Sequence, residues 1–181
     1  YTIGEVELGV NYVLILSTNA GLWGYNIGDT IQFTSVAPYR VVVSGRIKHY
    51  ISAFGEHVIG KEVESALQEA MEGSAIRVNE FTVAPQINPT EGLPYHEWLI
   101  EFENEPDNLA TFALQIDHAM RKQNVYYDDL IVGNVLRPLV ITNVPKNGFQ
   151  DYMKSIGKLG GQNKIPRLSN DRKIADVLNP K

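Results

Sequence analysis

Cysteine is absent from the 181 residues. Disulfide bonds and thiolate metal sites are therefore excluded, and because such a composition is typical of a reducing compartment, we expect a cytoplasmic location. The histidines do not have the spacing of metal ligands, so we predict that this chain alone holds no metal. They are His49, His57, His96 and His118.

The chain also lacks long apolar runs and an excess of positive charge. No run approaches the roughly 18 apolar residues that a membrane-spanning helix needs. Lysine and arginine number 16 against 21 aspartates and glutamates, which gives a net charge of −5. Because a surface that follows phosphates normally requires a basic excess, we expect neither nucleic acid nor a membrane as a partner.

With 44% apolar residues, the composition is that of a folded globular protein. Short β-branched stretches at 10–17, 23–27, 30–34 and 39–44 predict part of a β-barrel or of a larger sheet. Later, amphipathic helices at 60–71, 108–123 and 148–156 alternate with strands at 75–85, 97–102 and 134–144. We therefore predict an α+β fold, with a β-rich domain end in residues 1–45, a joint within 44–67, and a small domain with a helix-covered mixed sheet in 46–181.

One acidic residue is a candidate for ligand binding. Asp29 follows Gly28 where the chain is expected to bend, and an ionised carboxylate can accept two hydrogen bonds from a vicinal diol such as a ribose. The alternative is that Gly28 and Asp29 only form a β-turn between two strands, which is the commoner meaning of this dipeptide.

Three cations are candidates for contacts with a phosphate or a carboxylate. Arg46 and Lys48 lie at the predicted joint, and Lys164 follows a glycine-rich stretch that could deliver it into a site. The alternatives are a solvated strand end and an ordinary surface lysine. No phosphate-binding G-x-x-x-x-G-K-[ST] motif occurs, and Ser17, Ser35 and Ser52 lack the surroundings of a hydrolase nucleophile.

Taken in order, three segments resemble the C-terminal portion of one family. They are residues 21–29 (GLWGYNIGD), residues 45–48 (GRIK) and the KIPR segment at 164–167. Together they resemble the GH3 auxin-responsive family, in a bacterial-type version. This family of acyl acid amido synthetases belongs to the adenylate-forming enzymes, and the resemblance extends over essentially the whole chain.

The resemblance implies a ligase that uses ATP. Such an enzyme activates a carboxylic acid as an acyl-adenylate with release of pyrophosphate, and an amine, usually an amino acid, then attacks to give an amide and AMP. Residues 1–45 would be the end of the large adenylation domain, and residues 46–181 the mobile C-terminal domain. Mg²⁺ is expected with ATP, although we identify no ligands for it in this chain.

The resemblance also implies roles for single residues. Asp29 would hold the ribose hydroxyls, Tyr25 would help to shape the nucleotide site, and Arg46 would lie beside the ribose and phosphate. Lys48, with Arg46, would lie at the hinge. Lys164 would neutralise charge on the α-phosphate and the attacking carboxylate during adenylation, and rotation of its domain would withdraw it before the amide forms.

Two positions depart from the family pattern, and three interpretations stay open. Asn26 replaces an arginine, and His57 stands where plant members carry a lysine.

The phosphate-binding loop and the adenine-binding segments of the family would precede residue 1, so we expect a fragment that is inactive without its N-terminal domain. The alternatives are a non-catalytic α+β module that binds an acidic partner and a fragment of an acyl-CoA-forming ligase.

Overall fold

The computed structural model describes residues 1–46, 50–160 and 163–179. The chain divides into two compact units, unit 1 (Tyr1–His49) and unit 2 (Tyr50–Lys181).

Unit 1 is an antiparallel sheet of three strands that follow a short 3₁₀ turn (Ile3–Glu5). The strands are β1 (Asn11–Leu16), β2 (Tyr25–Val36) and β3 (Tyr39–Arg46), paired in the order β1-β2-β3. Four strands were expected, and this is wrong because the predicted strands 23–27 and 30–34 join into β2. Ile31 and Phe33 are the buried apolar side chains of β2, and the Phe33 ring meets Tyr12 and Tyr39 edge-on.

Unit 2 is a mixed three-stranded sheet with helices on both faces and a two-stranded hairpin. The hairpin strands are β4 (Tyr50–Ile51) and β5 (Val58–Ile59), and the main sheet contains β6 (Arg77–Gln86), β7 (Tyr95–Asn104) and β8 (Val140–Asn143). The helices are α1 (Gly60–Met71), α2 (Leu109–Gln123), α3 (Val125–Val132), α4 (Gly148–Ser155) and α5 (Lys173–Leu178). Because β7 pairs antiparallel with β6 and parallel with β8, the predicted α+β class with a mixed sheet is confirmed.

The core of unit 2 lies on both faces of the central strand β7. On one face Trp98 and Ile100 pack with residues of α1 and α2, including Phe112. On the other face Leu99 packs against Phe149 of α4 and against a residue of α5. Residues 95–102 are therefore buried without interruption, which differs from the half-buried alternation expected of this strand and is typical of a strand covered on both sides.

This burial includes ionisable side chains that need partners. Nε2 of His96 lies 2.8 Å from Oε1 of Glu56, and neither residue is more than 1% exposed. Burial alone raises the pKa of Glu56, but the hydrogen bond and charge of His96, together with backbone N–H donors that include Phe54, outweigh it and lower the pKa below its usual value. The pair holds the β4–β5 loop against β7.

Glu97 of β7 connects the sheet to the C-terminal helix. Its carboxylate accepts hydrogen bonds from Thr142 Oγ1 at 2.6 Å, Arg172 Nη2 at 2.6 Å and Asn179 Nδ2 at 3.0 Å. Burial tends to raise the pKa of Glu97, but these donors and the charge of Arg172 lower it below the ordinary value. Since Arg172 and Asn179 flank α5, the carboxylate fixes both ends of that helix.

Two features of unit 2 differ from the prediction. Residues 134–144 were expected to form one strand, but only Val140–Asn143 does so. Asn134 has a left-handed φ of +54°, and the N–H groups of Val135 and Leu136 donate to the Leu130 carbonyl at the end of α3, so this backbone is not available for a sheet. Helix α3 itself was not predicted, and the Asn124 side chain caps it by accepting from Tyr127 N at 2.9 Å.

We predict that Glu97→Gln destabilises unit 2 by about 3 kcal/mol at neutral pH, because it leaves the Arg172 guanidinium without its buried partner. Since the folded-state pKa of Glu97 is lowered, its contribution is present above the unfolded-state pKa and is lost as the pH falls through the folded-state value. The gap between wild type and variant should therefore close in acid. Urea unfolding, followed by Trp98 fluorescence in a Trp23→Phe background, measures both effects.

The matched control is Glu103→Gln on the same strand, because Glu103 is exposed and should change stability by less than about 0.5 kcal/mol. Equal effects of the two substitutions, or a Glu97 effect that persists in acid, would contradict the assignment.

Candidate active site

A bulge in β2 carries the candidate ribose-binding residue. Val13 pairs with Thr30 while Ile15 pairs with Asn26, so residues 27–29 lie opposite a single residue of β1. Gly28 has a φ of +84°, which residues with a Cβ adopt at a cost, and its N–H donates to Asn26 Oδ1 at 2.9 Å. The expected β-turn is therefore an irregularity within one strand, and bulges of this kind redirect the side chains around them.

Three candidate nucleotide-binding residues lie at one end of the unit 1 sheet, where β2 begins and β3 ends. Asp29 and Arg46 are directly opposite each other on the two strands. Tyr25 is the first residue of β2, and its side chain is half exposed. The backbone therefore places Tyr25, Asp29 and Arg46 at the same end of this sheet, whereas Lys48 lies outside the described residues.

Lys164 lies next to a stretch of chain that is fixed to the edge of β6, which we call the 165–169 segment. The Val83 N–H donates to the Arg167 carbonyl at 2.9 Å, and Ser169 N donates back to the Val83 carbonyl at 3.0 Å. Ile165 and Leu168 are both buried. The segment that follows Lys164 is therefore anchored to the sheet.

The Lys164 side chain is exposed and faces a cavity of about 370 Å³. Within residues 50–160 and 163–179, no hydrogen bond or ion pair to its ammonium group is found. The cavity is also lined by Glu80, Glu101 and Lys158. Glu101 Oε1 is already engaged, because it accepts from Asn147 N at 3.1 Å at the start of α4. Lys164 therefore lies beside an anchored segment, and its ammonium group has no polar partner among the described residues of unit 2.

The structure also pairs two residues that the sequence did not connect. Ser52 Oγ lies 2.9 Å from His57 Nδ1, across the loop between β4 and β5, and Ser52 N donates to Asn170 Oδ1 at 3.0 Å. His57 has a φ of +49°, and its exposed ring lies edge-on to Tyr126. The only signal for this pair in the sequence is a hydroxyl and a histidine on either side of a glycine.

Metal ligands and membrane-spanning helices were sought over the same parts of the chain. In residues 1–46, 50–160 and 163–179, no group of three or more histidine, aspartate or glutamate side chains is arranged to hold a metal ion. Across these ranges, too, every helix is too short or too polar to cross a membrane.

Comparison with known proteins gives consistent matches along the chain. A family model described as the GH3 family central domain matches residues 1–46, and one described as the GH3 family C-terminal domain matches residues 61–173. The indole-3-acetic acid-amido synthetase GH3.3 of Arabidopsis thaliana is 28% identical over 97% of this chain and 31% of its own length. The jasmonoyl–L-amino acid synthetase GH3.5 of Oryza sativa subsp. japonica is 24% identical over 96% of this chain and 31% of its own length.

Solved structures agree with these matches at the level of the fold. The GH3.15 acyl acid amido synthetase superposes with a TM-score of 0.74 at 19% identity, and the match covers 98% of this chain and 35% of that protein. The chain therefore spans about a third of the length of the relatives that it matches.

We predict that Gly28→Ala loosens the bulge, because the added Cβ disfavours a φ of +84° by roughly 1 kcal/mol. Hydrogen-exchange mass spectrometry should show the β1 and β2 amides near the bulge exchanging about 5-fold faster. Gly60→Ala is the control, since an added Cβ meets nothing within 4 Å there and Gly60 begins a helix. Equal protection of β1 and β2 in both variants would show that the bulge does not depend on glycine.

Proposed function

Because the chain belongs to the GH3 family of acyl acid amido synthetases, we propose that it is part of an ATP-dependent ligase. The enzyme adenylates a small carboxylic acid, releases pyrophosphate and transfers the acyl group to an amine or amino acid. The observation that carries this proposal is the agreement between the C-terminal family match and the position of Lys164 in the KIPR segment. Lys164 lies beside the anchored 165–169 segment, and its ammonium group has no polar partner among the described residues of unit 2.

In this proposal unit 1 contributes the ribose end of the nucleotide site. The Asp29 carboxylate accepts hydrogen bonds from the ribose hydroxyls, since an ionised carboxylate offers only acceptors. Arg46 lies beside the ribose and phosphate, and Tyr25 shapes the site. The opposition of Asp29 and Arg46 across β2 and β3 supports a shared ligand, because directly paired positions of neighbouring strands are close in space.

Lys164 supplies positive charge in the adenylation step. The carboxylate oxygen of the acid attacks the α-phosphorus of ATP, the bond from that phosphorus to the pyrophosphate oxygen breaks, and negative charge accumulates on the phosphate oxygens. An ammonium group held near these oxygens stabilises the transition state more than the ground state. The small domain, residues 46–181, then turns about Arg46 and Lys48 and removes Lys164 before the amine attacks.

The remaining parts of the enzyme lie outside this chain in our proposal. The phosphate-binding loop, the adenine contacts and most of the acid pocket come from the N-terminal domain of the same protein, so the 181 residues alone are inactive. Mg²⁺ accompanies ATP, and we assign it no ligands in this chain. The substrates belong to the class that the relatives' names describe, small organic acids and amino acids.

The product distinguishes this function from thioester formation. We expect the full-length protein, supplied with ATP and a panel of aryl and fatty acids, to form amides with amino acids and no thioesters with coenzyme A. Mass spectrometry identifies the products, and acid-dependent exchange of pyrophosphate into ATP reports adenylation. A thioester product would replace the amide proposal, and the absence of exchange with every acid would favour a non-catalytic module.

We predict that Lys164→Ala in the full-length enzyme slows ATP–pyrophosphate exchange on the order of 10²-fold or more, because a charge that acts mainly in the transition state is lost. Amide formation from a supplied acyl-adenylate should stay within about twofold, because in our proposal Lys164 is withdrawn in that step.

Two further substitutions make this prediction specific. Lys158→Ala is the matched control, since Lys158 lines the same cavity and should change exchange little. Asp29→Ala should instead weaken ATP binding through the ribose. Unchanged exchange in Lys164→Ala would refute the role of Lys164, and unchanged ATP affinity in Asp29→Ala would refute that of Asp29.

A further inference from the structure

We propose that Arg167 is a positioning residue for Lys164, which fixes the 165–169 segment on unit 2 so that the lysine is held in one place. The inference rests on the proposed function of Lys164 and adds Arg167 to the residues that serve it. Arg167 need not touch the substrate, because it acts through the backbone that joins it to Lys164.

The Arg167 guanidinium is bound by two secondary-structure elements. Its Nε donates to Glu64 Oε1 of α1 at 3.1 Å. Its Nη1 donates to the carboxylate of Glu80 and, at 3.2 Å, to the Phe81 carbonyl, both on β6. A planar guanidinium can satisfy several acceptors at fixed angles, which a lysine ammonium cannot do. The side chain therefore joins α1, β6 and the 165–169 segment.

The guanidinium is also the outer layer of a stack that reaches into the core. Its central carbon lies 4.6 Å from the centroid of the Phe81 ring, and that ring is parallel to Trp98 at 5.7 Å. Phe81 is 5% exposed and Trp98 is fully buried. Arg167 is therefore connected, through the Phe81 ring, to Trp98 of the buried strand β7.

The backbone between Arg167 and Lys164 has little conformational freedom. Only Ile165 and Pro166 separate them. The Ile165 side chain is buried among residues of β7 and α4, the proline ring fixes its own φ, and the Pro166 carbonyl accepts from Thr82 Oγ1 at 2.7 Å. A displacement of the Arg167 backbone is therefore passed on to the backbone of Lys164.

The ion pairs of Arg167 are too exposed to contribute much to the stability of the fold. Arg167 is about a third exposed, and its carboxylate partners Glu64 and Glu80 are 57% and 29% exposed. Ion pairs of this kind contribute little to folding. A shift of about 1 Å in a catalytic group, however, can cost up to 10²-fold in rate. Loss of Arg167 should therefore affect the reaction that uses Lys164 more than it affects the fold.

The test uses Arg167→Met and Arg167→Lys in the full-length enzyme. We expect Arg167→Met to lower kcat of ATP–pyrophosphate exchange about 10-fold or more with little change in KM for ATP, and to leave amide formation from a supplied acyl-adenylate within about twofold. In a Lys164→Ala background the same substitution should have no further effect on exchange, because both residues act through one ammonium group. Arg77→Met is the matched control, since Arg77 lies on β6 and, among the described residues, its side chain donates only to the carbonyls of Ser74 and Ile76.

Hydrogen exchange provides a readout that does not require activity. The amides of 165–169 should lose protection in Arg167→Met and keep it in Arg77→Met. Unchanged protection, additive effects with Lys164→Ala, or full exchange activity in Arg167→Lys would each overturn the proposal. If the wild-type enzyme shows no exchange with any acid, the proposed function fails, and the hydrogen-exchange comparison still decides whether Arg167 holds the segment.

Discussion

The fold of unit 2 depends on one constraint, which is that its central strand is buried on both faces although it carries ionisable side chains. His96, Glu97 and Glu101 of β7 are all nearly inaccessible, and each must find a polar partner within the protein. For each of the three, one partner comes from a different peripheral element: Glu56 from the β4–β5 loop, Arg172 beside α5 and the backbone at the start of α4. In the sequence, α4 precedes Lys164 and α5 follows it. The contacts of Glu101 and Glu97 with these two helices therefore also fix the chain before and after Lys164.

Local sequence patterns predicted the elements whose stability is local. Helix α1 has the bounds that its amphipathic spacing indicated, because its apolar residues lie on one face. The 75–85 and 97–102 strands were found with small changes at their ends. Helix α3 was missed because its sequence, VYYDDLIV, is apolar with no clear face, and α5 was missed because a helix of six residues owes its stability to tertiary contacts.

The candidate site was predicted in part. Residues within short motifs could be selected from the sequence, whereas contacts between residues far apart in the sequence could not. The motif residues Tyr25, Asp29, Arg46 and Lys164 could be selected from short segments that resemble a family. The opposition of Asp29 and Arg46 depends on strand register, and the contact of Arg167 with Glu64 joins positions 103 residues apart, which no single-sequence pattern encodes. The expected β-turn at Gly28 became a bulge because the flanking strand pairs continue on both sides of it.

The 165–169 segment has a second consequence, for solubility. In the main sheet β6 is an edge strand, and exposed edges can pair with strands of other molecules. The segment takes up the N–H and carbonyl of Val83, which removes part of that edge from intermolecular pairing. A chain in which this segment is released would therefore lose the anchoring beside Lys164 and at the same time expose an edge prone to aggregation, so that a displaced lysine and poor expression would arise from one structural defect.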